Sequence, residues 1–154
     1  MRHRPDPLPQ ATLAAVQRCT CFNLRKAARA VTQYYDEVLR PSGLRTTQFS
    51  LLMVLRAAGP LRLTDLAEQA VMDRTTLKRN LELLQRERLV RIQPGADARV
   101  REVSLTDAAR RRLDAALPLW EQAHAEVTGR LGRARQERLL ADLSAAVEAA
   151  RPAG

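Results

Sequence analysis

The chain has 154 residues, and its 26 lysines and arginines outnumber 17 aspartates and glutamates, giving a formal net charge of +9 and a pI of about 11.0. Aromatic residues are only 3% of the chain, so leucine, alanine and valine must form the core, a composition that favours helices. No apolar run approaches the ~20 residues of a membrane span, and no signal peptide is indicated, so we expect a cytoplasmic protein. A balance this basic indicates a polyanionic partner, either nucleic acid or an anionic membrane surface, unless the charge only maintains solubility.

The first third of the chain reads as helical after a short arm. Residues 1–9 contain three prolines and predict a flexible arm. From Ala11 to Leu39 apolar residues recur at steps of three and four, which predicts one long helix ended by a turn at 41–44. A second helix is predicted from Thr46 to Ala58. A short helix follows it, with Thr64 as the expected N-cap.

The segment VMDRTTLKRNLELLQRERLVR, residues 71–91, combines two patterns. Its leucines fall at helical spacing, which predicts a buried face made of Leu77, Leu81 and Leu84. Basic and hydroxyl side chains lie between them, near the start. Asp73 is a suitable N-cap, and the helix should run to about Arg88. The segment is therefore predicted to be an amphipathic helix that offers arginine, lysine and threonine to a partner.

Behind this helix the apolar pattern changes from a period of 3.6 residues to a period of two. Residues 90–93 and 100–105 alternate, and PGADAR at 94–99 is rich in turn formers, so we expect a β-hairpin. Arg99 and Arg101 are two residues apart and share one face of a strand. An arginine at a hairpin tip suits the narrow minor groove of DNA, where the negative potential is enhanced.

The C-terminal third predicts two more helices. Thr106 should cap a long helix with an apolar seam at heptad-like spacing, and Pro118 should kink or break it. Gly132 is the expected stop, and a last helix should span about Arg133 to Ala150.

This order of elements is typical of a winged helix-turn-helix: a mainly α fold with a small β-hairpin wing. In that motif the second helix of the pair enters the major groove of double-stranded DNA, about 12 Å wide. Arginine and lysine can pair with guanine, and threonine with phosphates or base edges. The predicted DNA-binding residues are Arg74, Thr75, Thr76, Lys78, Arg79, Arg99 and Arg101. The alternative is that these side chains form only a solvated face.

Two stretches resemble the MarR family of bacterial transcriptional regulators: TDLAEQAVMDRTTLKRNLELLQRERLVRI and DARVREVSLTDAAR. The resemblance covers about residues 11–150 and is most specific at Asp97-x-Arg99 and Leu105-Thr106. Ala98 replaces a frequent arginine, and Arg88 stands where a glycine usually ends the recognition helix. The resemblance implies a homodimer on a pseudo-palindromic operator, usually acting as a repressor.

Dimerisation is also indicated by the residues themselves. Apolar seams at both ends of the chain, outside the DNA-reading middle, must be buried, and pairing them across a two-fold axis would do so. We therefore divide the chain into an arm (1–9), an N-terminal dimerisation helix (10–45), a winged helix-turn-helix (46–106) and C-terminal dimerisation helices (107–154). An intramolecular bundle is the alternative.

Cys19 and Cys21 suggest a redox switch. On one continuous helix they would point about 200° apart, so a bond between them would need distortion, and an intersubunit bond or oxidation of one thiol is easier. Part of the MarR family senses organic hydroperoxides through a first-helix cysteine, which Cys21 resembles, and Tyr35 matches one tyrosine position that bonds the thiol. Because Tyr35 lies about 21 Å along that helix, its contact would come from a partner subunit.

Two alternatives to thiol sensing stay open. Both cysteines could be small buried hydrophobes. A small aromatic ligand could instead bind between the dimer helices and the DNA lobe, near Trp120 and His124, although core packing is the simpler role for both. For the protein as a whole, the rival functions are a thiol redox enzyme and a helical interaction module that does not bind DNA. Because the sequence has no Cys-x-x-Cys motif, we expect no enzyme. No cofactor is indicated, and the cysteines with His3 and His124 have no metal-ligand spacing.

Overall fold

The computed structural model describes residues 8–95 and 100–150, and over these ranges the chain is mainly helical with one small sheet, as predicted. None of the helices described is long and apolar enough to cross a membrane. The elements in chain order are α1 (Gln10–Gln17), α2 (Thr20–Leu39), a 3-10 turn (Arg40–Ser42), α3 (Thr46–Ala58), β1 (Leu61–Arg62), α4 (Leu63–Gln69), α5 (Arg74–Arg86), β2 (Val90–Pro94), β3 (Arg101–Leu105), α6 (Asp107–Leu131) and α7 (Arg133–Ala150).

The core lies in the middle of the chain, between α3, α4, α5, the sheet and the first half of α6. Leucines dominate it, as the shortage of aromatics predicts, and Leu52, Leu66, Leu84 and Leu113 are fully buried. Helix α3 has the predicted bounds because its apolar face is continuous, and because Gly59 turns the chain away with a φ of 81°. This core supports α5 on one side and leaves its other side free.

The sheet has three antiparallel strands in the order β1-β3-β2, one more than the predicted hairpin. Leu61 pairs with Val103 and Arg62 with Glu102, so β1 adds to the outer edge of β3. The prediction that Thr64 caps the short helix is wrong. Because Leu61 and Arg62 are extended in the ladder, α4 begins at Leu63, with Arg62 in the N-cap position.

The predicted single helix from Ala11 to Leu39 is also wrong, because the chain breaks between α1 and α2. Cys19 has an extended backbone there, with φ −64° and ψ 121°. The Nδ2 of Asn23 donates to the carbonyl oxygens of Gln17 at 2.8 Å and of Cys19 at 2.9 Å. The Cys19 carbonyl also accepts from the Asn23 amide at 3.1 Å, so Asn23 stabilises the break locally.

The junction between the sheet and α6 is built on Thr106, the predicted N-cap. Its Oγ1 accepts a hydrogen bond from the Ala109 amide at 3.1 Å. Pro118 does not break the helix, which runs continuously to Leu131, and Gly132 ends it as predicted, with a φ of 80°. The proline removes one backbone donor, and the helical structure continues on both sides of it.

The two ends of the chain lack a core of their own. Neither α1 nor α7 has a buried residue. Large apolar side chains are exposed on both ends, and these are Leu13, Val16, Phe22, Leu24, Val31, Leu139, Leu140, Leu143 and Val147. The predicted stripe on α2 becomes buried only near its C-terminal end, at Tyr35 and Leu39. The rest of this apolar surface is uncovered within one chain.

Candidate DNA-binding surface

The N-terminus of α5 is fixed by Asp73, as predicted. The carboxylate of Asp73 accepts from the Thr76 amide at 2.8 Å and from the Thr76 hydroxyl at 2.6 Å. The hydroxyl bond, together with the amide bond, holds the pKa of Asp73 below its usual range. The carboxylate therefore stays ionised at neutral pH, and it holds the first turn of the helix in place.

Helix α5 is amphipathic in the way the sequence predicts. Leu77, Leu81 and Leu84 are 3%, 2% and 0% exposed. The predicted DNA-binding residues of this helix are all exposed, namely Arg74, Thr75, Thr76, Lys78 and Arg79. The helix ends at Arg86, two residues earlier than expected. The first two turns of α5 therefore expose a basic face on the side of the helix that points away from the core.

The exposed side chains of α5 form two rows, because residues four apart lie on the same side of a helix. Arg74 and Lys78 form one row, which continues to Glu82, whose carboxylate lies 3.9 Å from the Lys78 ammonium. Such an exposed pair contributes little, so it leaves Lys78 available. Thr75 and Arg79 form the second row.

Arg101, at the start of β3, lies next to the first row. It lines a groove of about 370 Å³ between α5 and the sheet, together with Arg74 and Lys78. The floor of this groove is apolar, formed in part by Leu77 and Ile92. Three of the predicted residues, distant in sequence, are therefore brought to the rim of one groove.

The structure places the other predicted residues differently. The Thr76 hydroxyl proton is used by Asp73, whereas Thr75 has no such bond within the residues described. Asn80, a weaker suggestion, donates its Nδ2 to the Thr76 carbonyl at 2.8 Å and so bonds its own helix. Arg99 lies outside the described residues.

Sequence reasoning missed the polar contacts that hold the far end of α5. The Glu87 carboxylate accepts from Gln48 Nε2 at 3.0 Å and from Arg112 Nη1 at 3.1 Å. Gln48 is buried, and its Oε1 accepts from the Arg45 amide at 2.9 Å. The end of α5 is thereby tied to α3 and to α6 at once. Gln48 lies between Thr47 and Phe49, where a glutamine is not unusual, so no local pattern indicates this contact.

A second missed cluster joins α2 to α6. The Tyr34 hydroxyl donates to the Glu126 carboxylate, which also pairs with Arg130, and the Arg130 guanidinium lies 5.8 Å from the Tyr34 ring centroid. The hydrogen bond to Glu126 raises the pKa of Tyr34, and the same bond lowers the pKa of Glu126. The neighbouring Tyr35 is buried instead, which raises the pKa of its phenol.

Both cysteines are free and exposed in the single chain. Cys19 lies at the break before α2, and Cys21 is in the first turn of that helix. The angular argument against a bond between them assumed one continuous helix, so it does not hold here. Tyr35 lies 14 residues beyond Cys21 on α2, about 21 Å away, and the two do not meet within one chain.

Trp120 and His124 pack against each other rather than line a cavity. Their ring centroids are 5.0 Å apart with an interplanar angle of 4°, and Trp120 also stacks on Phe49 at 6.0 Å. Trp120 therefore connects α6 to α3 and packs against the core, as predicted, whereas His124 is exposed and the core-packing role predicted for it is wrong.

A helix-turn-helix of α4 and α5, flanked by an antiparallel wing and carrying a basic outer face, defines a winged-helix DNA-binding protein. The sequence model of the MarR family matches residues 42–99. The M. tuberculosis transcriptional regulator MosR, solved in complex with DNA, is 45% identical, with a TM-score of 0.77 over 87% of this chain and 99% of MosR. The chain therefore belongs to the MarR family of DNA-binding transcriptional regulators.

Two further proteins are similar. The transcriptional repressor CouR, solved bound to a 23-mer DNA duplex, is 25% identical, with a TM-score of 0.76 over 92% of this chain and 99% of CouR. The HTH-type transcriptional regulator YwoH of Bacillus subtilis (strain 168) is 26% identical over 102 residues, which are 66% of this chain and 74% of YwoH.

Proposed function

We propose that this protein is a homodimeric repressor that binds a pseudo-palindromic operator through α5. The observation that carries the proposal is the division of α5 into a buried leucine face and an exposed face with Arg74, Thr75, Lys78 and Arg79. A helix of this kind fits the major groove, where arginine and lysine can pair with guanine O6 and N7.

The wing supplies the second contact. Arg101 lies on the rim of the groove beside Arg74 and Lys78, so a duplex that receives α5 passes close to β3. Arg99 is assigned to the minor groove on the sequence pattern alone. Because phosphate contacts release counterions, the affinity of this surface for DNA should fall steeply with salt.

Self-association explains the apolar surfaces at both ends of the chain. Helices α1 and α7 have no buried residues, and the exposed leucines and valines of α1, α2 and α7 would be covered by a second copy. A two-fold axis through these helices would set two α5 helices about 34 Å apart, one turn of DNA. The two-fold symmetry makes the operator pseudo-palindromic, and the spacing of the helices sets the distance between its half-sites. CouR, a repressor in the same family fold, supports the direction of regulation.

For release from DNA we favour oxidation of the thiols. Cys19 and Cys21 are both exposed, at a break in the helix that we assign to the dimer interface. Oxidation there by an organic hydroperoxide would alter how α1 and α2 pack, and so the spacing of the two α5 helices. A partner's Tyr35 as a hydrogen-bond donor to Cys21 is part of this proposal. A small aromatic ligand between the dimer helices and the DNA lobe is the second candidate.

The test is binding of the reduced protein to DNA upstream of its own gene, with excess competitor, and a parallel selection from random-sequence DNA. The selected operator is then used with protein treated with an organic hydroperoxide, alongside Cys21→Ser and Cys19→Ser. Loss of binding in the wild type, but not in a serine variant, supports the redox switch. If peroxide does not change the affinity for the operator, the proposed redox switch is wrong and release by a small ligand is favoured. If the selection yields no enriched sequence, the proposal that the protein is a sequence-specific repressor is wrong.

A further inference from the structure

The turn between α4 and α5 holds a valine in an unfavourable conformation. Val71 has a φ of 50°, in the left-handed region, where a β-branched side chain is strained. Its amide bonds the Glu68 carbonyl at 3.1 Å, and the Met72 amide bonds the Ala67 carbonyl at 2.9 Å. This is the Schellman pattern that ends a helix, and glycine is its usual residue. The backbone of this turn therefore favours a residue other than valine.

Packing does not compensate for that strain. Val71 is 65% exposed, more than any other large apolar side chain in the described ranges. Its neighbour Met72, in contrast, packs partly against the core and fixes the turn. In the free protein, Val71 therefore combines backbone strain with exposure of its methyl groups to water.

The position of Val71 suggests what covers it. Val71 precedes the N-cap Asp73 by two residues and Arg74 by three, so its Cα is at most about 10 Å from that of Arg74. Val71 therefore lies near the N-terminal end of α5, which in the proposed function contacts the bases. A side chain exposed here would face DNA in the complex.

We propose that Val71 is a specificity-determining residue whose methyl groups contact the C5-methyl of one thymine in the operator. The inference rests on the proposed function, because it needs α5 in the major groove. The thymine methyl is the apolar feature that this groove presents to a protein. Contact with it would remove the Val71 methyls from water, which the fold alone does not do.

Two substitutions separate the side chain from the strain. Val71→Ala keeps a Cβ in the left-handed conformation and removes two methyl groups, whereas Val71→Gly removes both the methyls and the strain. We expect both variants to bind the selected operator about 3- to 10-fold more weakly, with unchanged binding to random DNA. Val71→Gly should raise the Tm by about 2–4 °C, and Val71→Ala by less, because alanine is not β-branched but still has a Cβ in the left-handed conformation.

The thymine is identified by replacing operator thymines one at a time with deoxyuridine, which lacks the methyl group. One replacement should weaken wild-type binding by the factor seen for Val71→Ala and leave Val71→Ala itself unaffected. Arg88→Gly is the control, because it relieves a φ of 58° at the other end of α5. It should retain the wild-type response to that deoxyuridine.

The outcomes are distinct. If Val71→Ala binds the operator as the wild type does, or if both proteins respond alike to every deoxyuridine, the inference is overturned. If the wild type itself does not distinguish the operator from random DNA, the proposed function fails and the inference with it.

Discussion

The hydroxyl of Thr106 donates a hydrogen bond to the main-chain carbonyl of Arg88 at 2.8 Å, while its oxygen caps α6 through the Ala109 amide. One buried side chain thus joins the turn that follows α5 to the start of the long helix α6. The Glu87–Arg112 pair, 3.1 Å apart, lies beside it. A change in the position of α6 would therefore reach α5 through rigid polar contacts.

Thr106→Val should destabilise the protein by about 1–3 kcal/mol, because it removes a helix cap and leaves buried backbone groups without a partner. Urea denaturation at one fixed protein concentration measures this change, since dimerisation would make stability depend on concentration. Thr106→Ser keeps the hydroxyl and should recover most of the loss. Equal destabilisation by Thr106→Val and Thr106→Ser would contradict this expectation, because serine keeps both hydrogen bonds.

Arg74→Ala or Arg79→Ala should weaken operator binding by about 1–3 kcal/mol if the side chain reads a base. The fold should be unaffected, because both residues are exposed and make no ion pair among the described residues. Arg86→Ala is a matched control on the last turn of the same helix, about 18 Å from Arg74. Fluorescence anisotropy on operator and random duplexes gives the affinities. If all three variants bind the operator as tightly as the wild type does, α5 is not the helix that reads the bases.

Arg101→Ala should weaken binding to all sequences by a similar factor, since Arg101 is expected to contact phosphates. The slope of log affinity against log salt should become shallower by about one. Titrations at several salt concentrations test this, and Arg99→Ala should behave similarly. An unchanged salt slope for Arg101→Ala would mean that this side chain makes no phosphate contact.

The Tyr34–Glu126 hydrogen bond should stabilise the α2–α6 contact only over a window of pH. The pKa of Glu126 is lowered, so its contribution is present above the ordinary carboxyl pKa of about 4.3 and is lost as pH falls through the folded value. The pKa of Tyr34 is raised, so its contribution is present below about 10 and is lost as pH rises through the folded value.

Tyr34→Phe, which removes the donor, should therefore lower the Tm by a constant small amount between about pH 5 and pH 9, and by less outside that window. Thermal denaturation across this range is the measurement, with Glu126→Gln as the variant that keeps an acceptor. A Tm difference that varies between about pH 6 and pH 8 would mean that another group titrates at this contact.

The elements predicted correctly are those with local causes. The bounds of α3 follow from its periodic apolar residues and Gly59, and Asp73 caps α5 through an amide three residues away. Thr106 caps α6 in the same way. A hydrogen bond to a near neighbour, or a repeat of buried leucines, leaves a pattern that can be read in a few consecutive residues.

The elements missed depend on contacts that the local pattern does not record. Strand β1 exists because Leu61 and Arg62 pair with β3, some 40 residues later, and a two-residue strand has no alternation to detect. The break at Cys19 is a local feature, stabilised by Asn23 four residues later, but the apolar periodicity that continues on either side conceals it. Glu87 meets Gln48 and Arg112 only after three helices have packed together.

Local sequence patterns are enough to identify the class of this protein, a basic winged helix-turn-helix with a leucine core, and to predict DNA-binding residues on the first two turns of α5. Periodicity, caps and charge are properties of short segments, and they can be recognised in the sequence without knowledge of the fold. Only the tertiary structure decided that Arg101 lies beside Arg74, that both thiols are exposed, and that Val71 is strained in the turn. These three features depend on how the chain folds and packs, because folding sets the position and the surroundings of each side chain.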